Sequence, residues 1–357
     1  MKIDGRSDGQ VVSESLKGKR VLFIAPMFFG YEKLIKAELE QQGAQVDFHP
    51  DRPGADFLTK ALIRIDRRLL ARRIAKHYRG IVEAAAGSQY DHVLVIRGEA
   101  ISPQIIAQLR ATQSTAKLTL YLWDSMHYNP NARLIKPYFD SVLSFDRVDV
   151  SENSEIEFLP LFFANEYARA AEWRGEYEYD ACFIGTIHTD RYRILEKLLE
   201  SLGRDGRRVF VYCYYPSRVL HRLRSLVDPG FRRFSKKYVN FVGLPLSKVV
   251  DYISVSRCVI DINRPDQKGL TMRTIEALGA QRKLITTNED VSSYDLYSSS
   301  AVKIVDRVAP VVQDEFLTAS HRPFDDAVRT RYTVGNWVRQ ALLQPRAANE
   351  ITKIGVE

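Results

Sequence analysis

NRPDQKGLTMRTIEALGAQRKLITTN, residues 263–288, reads as the end of one strand, a loop, a helix and the next strand. Pro265 and Gly269 interrupt the chain after Asn263, helical spacing begins about Leu270 or Thr271, Gly279 stands at the helix C-terminal end, and KLITT follows as a strand. Strands joined through a helix lie parallel, and a parallel sheet is covered on both faces. The alternation continues in both directions. Before it come DACFIGTI (180–187), the helix RYRILEKLLESLG (191–203), RRVFVYCYY (207–215), VNFVG (239–243) and RCVIDINR (257–264), and after it AVKIVD (301–306). An earlier series runs KRVLFIAP (19–26), the helix GYEKLIKAELEQQG (30–43), QVDFHP (45–50), DHVLVIRG (91–98), SPQIIAQLRATQ (102–113) as a helix, KLTLYLWD (117–124) and FDSVLSFD (139–146). Two such series predict an α/β chain of two Rossmann-like doubly wound parallel-sheet domains facing across a cleft. The expected division is a flexible polar tail at 1–18, a first domain at 19–165, a connection at 166–180, a second domain at 181–322 and a helical segment at 323–357 that packs back on the first domain.

The 357 residues carry 52 Lys or Arg against 44 Asp or Glu, a formal charge of +8, which suggests an anionic partner: a nucleic acid, a membrane surface or a phosphorylated small molecule. No apolar run approaches the roughly 18 to 20 residues that cross a bilayer, and the opening residues lack the apolar centre of a secretory signal, so a soluble cytoplasmic protein is expected. Cys182, Cys213 and Cys258 lie in apolar strands without ligand spacing and read as buried thiols. No H-E-x-x-H, Cys/His cluster or D-x-D triplet appears, so no cofactor is expected and metal independence with it. The absence of G-x-G-x-x-G and G-x-x-x-x-G-K-[ST] argues against dinucleotide and phosphate-loop chemistry.

In sheets of this kind ligands sit beyond the carboxyl ends of strands, near helix N-termini. The loop residues Asn263, Arg264, Gln267 and Gly269 lead to a helix start at which Thr271 and Arg273 make a diphosphate cradle. Glu276 shares the face of Arg273, where a carboxylate accepts both hydroxyl protons of a ribose; the same pair also reads as an ordinary surface ion pair. Gly185, Thr186 and Arg191 in CFIGTIHTDR (182–191) form either a second phosphate contact or a simple strand-to-helix bend. Asp124, Glu99 and Asp146 end strands of the first series and are the candidate general bases, with a turn or capping role the alternative. Phe28, Phe29, Gly30 and Tyr31 in PMFFGYE (26–32), with His127, are candidates for contact with an acceptor, or for core packing. Residues 61–80 combine an apolar stripe with seven Lys or Arg, a pattern that suits either an anionic membrane surface or solvent, and HRLRSLVDPGFRRFSKKY (221–238) is a second basic stretch.

Three stretches carry a resemblance: CFIGTIHTDR, LYLWDSMHYNP (120–130) and SRCVIDINRPDQKGLTMRT (256–274), followed by TIEALGAQRKLITTN. Over roughly residues 85 to 310 the chain resembles GT-B glycosyltransferases of the CgeB-like and capsule or lipopolysaccharide (group 1-like) kind. The resemblance implies a nucleotide-sugar donor in the C-terminal half, Glu276 on the donor ribose, and a glycan or lipid-linked acceptor at the inner face of the plasma membrane. Lys268 stands where the family carries a companion glutamate. The competing expectations are a GT-B-like nucleotide-sugar epimerase, a non-catalytic nucleotide- or glycan-binding relative, and a nucleic-acid-binding protein. The last is disfavoured because the positive charge is spread over both halves with no binding-module signature.

Overall fold

The computed structural model of the chain describes residues 15–54, 67–265, 267–320 and 323–343. Residues 1–14 of the expected tail, 61–66 of the basic stretch and 344–357 of the C-terminal segment lie outside the described residues. The described residues form twelve strands: β1 Arg20–Ala25, β2 Gln45–Pro50, β3 His92–Ile96, β4 Lys117–Leu122, β5 Ser141–Ser144, β6 Ile156–Phe158, β7 Tyr179–Thr186, β8 Val209–Tyr214, β9 Val239–Asn240, β10 Ser256–Asp261, β11 Lys283–Thr286 and β12 Val302–Ile304. They make two six-stranded sheets, β2-β1-β3-β4-β5-β6 and β12-β11-β10-β7-β8-β9, in which every pairing is parallel. The continuous apolar runs of β1 and β3 are buried along nearly their whole length, as strands covered on both faces must be. Counted from its own first strand, the second sheet has the order 3-2-1-4-5-6, with its reversal between β7 and β10. The first sheet reverses between β1 and β3. Crevices open at the carboxyl ends of strands where the order reverses, so these positions locate the site.

The two units share one apolar core. Tyr121, Phe162 and Trp337 join Ile275, Leu278 and Leu284 in a single buried cluster. The helix Val334–Leu342 buries Val334, Trp337, Val338, Ala341 and Leu342, the spacing of one helical face, and Trp337 lies 4.8 Å from Tyr121 and 5.0 Å from Phe162, ring to ring. The Nε2 of Gln42, just past the helix Tyr31–Gln41, donates to the Gly335 carbonyl at 3.0 Å, so this last described helix lies against the first unit. On the helix Met272–Gly279, a Cβ at Gly279 would fall 2.6 Å from Cδ2 of the buried Phe163 ring, which leaves no room for one. Gly279→Ala is therefore expected to lower stability by about 1–3 kcal/mol through overpacking, read as a lower midpoint in urea.

Some elements depart from expectation. β7 continues through Gly185 and Thr186, and the turn comes later, where Thr189 takes φ 46°. VNFVG yields only the two-residue β9, and β6 has no counterpart among the expected strands. The helix Ala71–Ala86 packs Ile74, Tyr78, Ile81 and Ala85 into the core of the first unit, so its apolar face is turned inward, while Leu69 just before it is exposed.

Candidate functional site

The carboxyl ends of β2, β3 and β4 carry a ladder of alternating charge. Asp51 pairs with Arg52 (3.2 Å), Arg52 with Glu99 (3.1 Å), Glu99 with Arg97 (3.1 Å), and Arg97 with Asp124 (3.0 Å). Arg97 reaches Asp124 from a left-handed backbone, φ 69°, an uncommon conformation for a side chain of this size and one that surrounding structure must hold in place. Burial raises the pKa of the Asp51 carboxyl, against the pull of Arg52 and Arg97. The ladder ends on the second unit: Arg264 Nη1 stands 3.7 Å from Asp124 Oδ1. Glu99 and Asp124 thus each have both oxygens beside guanidinium groups. Asp146 is differently employed, since one oxygen caps the helix Arg147–Glu152 at Val148 N (3.0 Å) and the other accepts from Gly269 N (3.2 Å) across the two units.

Opposite this ladder, where the second sheet reverses, three arginines and a histidine converge. Arg191 and His188 follow β7, Arg264 follows β10, and Arg307 follows β12. Arg191 Nη1 donates to the Thr186 carbonyl at 2.8 Å; among the described residues no carboxylate stands within ion-pair distance of it. Burial, and then Arg264 and Arg307, pull Arg191 down to about 10, with Asp261 acting in the opposite sense. Arg307 is held by Asn263 Oδ1 (2.8 Å), Thr287 Oγ1 (3.1 Å) and Asp190 (3.1 Å). Arg264 lies over the Tyr128 ring at 5.1 Å, and the Tyr128 hydroxyl donates to the Pro265 carbonyl at 2.8 Å, which fixes the loop from the first unit. Burial, then Arg191 and Arg264, bring the His188 imidazole down to about 3, so it is neutral at pH 7 and adds no charge to the cluster. Guanidinium groups brought this close repel one another, and an anion between them relieves that cost.

A depressed histidine also makes stability depend on pH. The unfolded chain binds a proton near pH 6.5 that the folded chain refuses down to about 3, so stability present above pH 6.5 is lost as the pH falls through that window. The expected result is an acid-side loss of melting temperature that is shallower in His188→Asn, measured between pH 7 and pH 4.

Of the other expected donor contacts, Asn263 and Gln267 shape the loop: Asn263 Nδ2 donates to the Gln267 carbonyl at 2.9 Å, and Gln267 Nε2 to the Gly269 carbonyl at 3.1 Å. Gly269 is pressed against Phe145, where a Cβ would come within 2.6 Å of the ring, and Lys268 is exposed beside it. Thr271 caps the helix at Thr274 N (3.3 Å) and donates to Asp261 Oδ2 (2.8 Å). Arg273 and Glu276 form an ion pair of 2.7 Å, with Glu276 buried, and the Tyr31 hydroxyl of the first unit donates to the other Glu276 oxygen. Burial raises the pKa of the Tyr31 and Tyr167 hydroxyls, and the negative charge of Glu276 adds to it. Burial works against the charge on Arg273, and Glu276 more than restores it. This pair is part of the joint between the units, and Tyr31 is engaged there instead of facing open space.

The loop after β1 turns at Phe29 (φ 51°) and Gly30 (φ 86°) and leaves Met27, Phe28 and Phe29 exposed. Phe29 crosses to the second unit, 5.8 Å from the Tyr214 ring. Behind this loop a cavity of about 280 Å³ is lined by Met27, Asp51, Arg52, Gly54 and His77. His127 is exposed, packed on Tyr128. Residue type alone does not single out His188 and Arg307 in the sequence; each follows a strand as Arg97 and Arg264 do, and that position is the signal that marks them.

No protein-family model matches the chain, and no curated protein matches it in sequence. Its likeness to solved structures is extensive. OtsA in its apo form superposes with a TM-score of 0.63 at 12% identity, covering 90% of this chain and 98% of that one. Sucrose-phosphate synthase from Thermosynechococcus elongatus gives a TM-score of 0.55 at 13% identity, with coverage of 91% and 95%. An α-glucosyltransferase in complex with UDP and a mismatched DNA gives 0.53, 11% identity and coverage of 91% and 95%. At these identities what is shared is the fold, two Rossmann-like units in the GT-B arrangement, and it spans nearly the whole chain.

Proposed function

We propose that the chain is a glycosyltransferase that takes a nucleoside-diphosphate sugar and passes the sugar to a glycan or lipid-linked acceptor. The observation that carries this reading is the convergence of Arg191, Arg264 and Arg307 at the β7/β10 reversal, beside a histidine kept neutral. A diphosphate matches such a cluster, because guanidinium groups bind phosphate oxygens in a fixed fork and neutralise the charge that grows on the leaving diphosphate as the glycosidic bond breaks. In this reading guanidinium groups take the part a metal plays elsewhere. Asp124, joined to Arg264, ties donor loop to acceptor side, and the cavity behind the Phe28–Phe29 loop receives the acceptor. The UDP bound in the α-glucosyltransferase of like fold supports a nucleotide donor, and the sequence resemblance supports a capsule- or lipopolysaccharide-type acceptor. The ribose role of Glu276 requires Tyr31 to leave its carboxylate.

The test is to incubate the protein with nucleoside-diphosphate sugars labelled in the sugar. Label passing into a glycan or lipid of added membrane extract, with release of nucleoside diphosphate, is expected. Free epimerised sugar, or label retained on the nucleotide with an inverted sugar carbon, would indicate an epimerase, and no conversion of any donor, with or without membrane extract as acceptor source, would sink the proposal.

A further inference from the structure

The helix Arg218–Val227 is inverted relative to a helix that covers a core. At 100° per residue, Val219, Leu220, Leu223, Leu226 and Val227 fall in one sector of about 120°. They are 65%, 43%, 55%, 77% and 82% exposed, and no residue of the helix is buried. The side turned to the protein is the polar one. Arg224 lies over the rings of Phe231 (4.3 Å) and Tyr192 (5.2 Å), Arg218 over Phe241 (4.8 Å), and the His221 ring is 5.1 Å from Phe241. Ser217 caps the helix at Leu220 N, so its start is fixed. Arg218, His221 and Arg224 thus dock the helix while its leucines and valines face outward, an arrangement that marks a surface meant to meet something apolar.

The charge around the stripe narrows what that is. Arg218 and Arg222 on the same helix, and Arg232, Arg233, Lys236 and Lys237 on the next helix, Pro229–Tyr238, are exposed. The only acid between residues 217 and 238 is Asp228, which accepts from the Tyr192 hydroxyl (2.6 Å) and from Phe231 N (2.9 Å). We propose that this helical pair rests on an anionic lipid bilayer, the stripe entering the boundary between headgroups and acyl chains and the basic side chains meeting lipid phosphates. No described helix is long and apolar enough to cross a membrane, so the contact is with its surface. The surface borders the candidate site: Arg224 Nη2 donates to the Thr189 carbonyl (2.8 Å), next to His188, and Phe29 meets Tyr214 just before the helix begins. A bilayer here lies beside the mouth of the crevice, near the exposed Met27 and Phe28.

The test needs no nucleotide and so stands apart from the proposed activity. The full chain is sedimented with vesicles of phosphatidylcholine alone, and with vesicles containing a quarter phosphatidylglycerol. Partition onto the anionic vesicles, weakened by salt, is expected. Leu223→Ser/Leu226→Ser and, separately, Arg232→Ser/Arg233→Ser/Lys236→Ser/Lys237→Ser should each reduce it at least about tenfold. Because the substituted side chains are exposed, both variants should melt as the parent does. Leu226→Trp gives a second reading, a blue shift of its added emission when anionic vesicles are supplied. Failure of the parent chain to bind these vesicles, binding by either variant equal to the parent's, or no shift at Leu226→Trp overturns the assignment. So does a concentration-dependent dimer that dissolves in Leu223→Ser/Leu226→Ser, which would give the stripe to a second copy of the chain.

Discussion

Arg264→Ala is expected to weaken binding of the nucleoside-diphosphate donor by about 1.5–3 kcal/mol, roughly ten- to 150-fold, with the fold intact. Arg264 is 3.7 Å from a carboxylate that Arg97 holds more closely, at 3.0 Å, so its removal leaves no buried charge unpaired. Its other contact is the Tyr128 ring. Arg264→Lys keeps the charge and loses the planar fork, and its affinity should fall between the two. Donor affinity in Arg264→Ala equal to that of the parent chain would remove the residue from the site. The comparison is clearest at constant ionic strength, because salt screens a partly exposed cluster.

Glu276→Ala should act first on stability. Glu276 is buried and holds Arg273 at 2.7 Å, so its loss strands a largely buried guanidinium and leaves the Tyr31 hydroxyl without its acceptor. Breaking one side of a buried ion pair typically costs about 3–5 kcal/mol. Arg273→Met added to Glu276→Ala removes the stranded charge and should recover a large part of that loss, measured as urea midpoints of the two variants. If Glu276→Ala unfolds with the parent midpoint and only nucleotide affinity drops, the pair is a surface of the donor pocket and not a joint between the units.

The fold was more legible in the sequence than the contacts of these two residues. Strand and helix alternation was legible because buried parallel strands are nearly continuous apolar runs, as β1, β3 and, apart from Thr119, β4 are. From that alternation came the two sheets and the expectation that chemistry follows strands, which Arg191, Asn263 and Arg264 share with Arg307. Periodicity alone could not tell which neighbour Glu276 meets, because Tyr31 lies far away in sequence and reaches it only through the packing of the two units. In the sequence Gly269 and Gly279 are a loop and a helix-end residue; their tight contacts with Phe145 and Phe163 are again between distant segments. The helix Arg218–Val227 was legible as basic, while the outward turn of its apolar stripe depended on Arg224 and His221 finding aromatic rings.

The central claim, that the β7/β10 crevice holds a nucleoside diphosphate on its arginines, is tested most directly by calorimetric titration of the parent chain, Arg264→Ala and Arg307→Ala with UDP, GDP, CMP, dTDP and their sugar conjugates. Saturable binding of one nucleotide series, weakened by added salt and by both substitutions, is the predicted result. No binding of any of them, or binding that both variants retain in full, would contradict it.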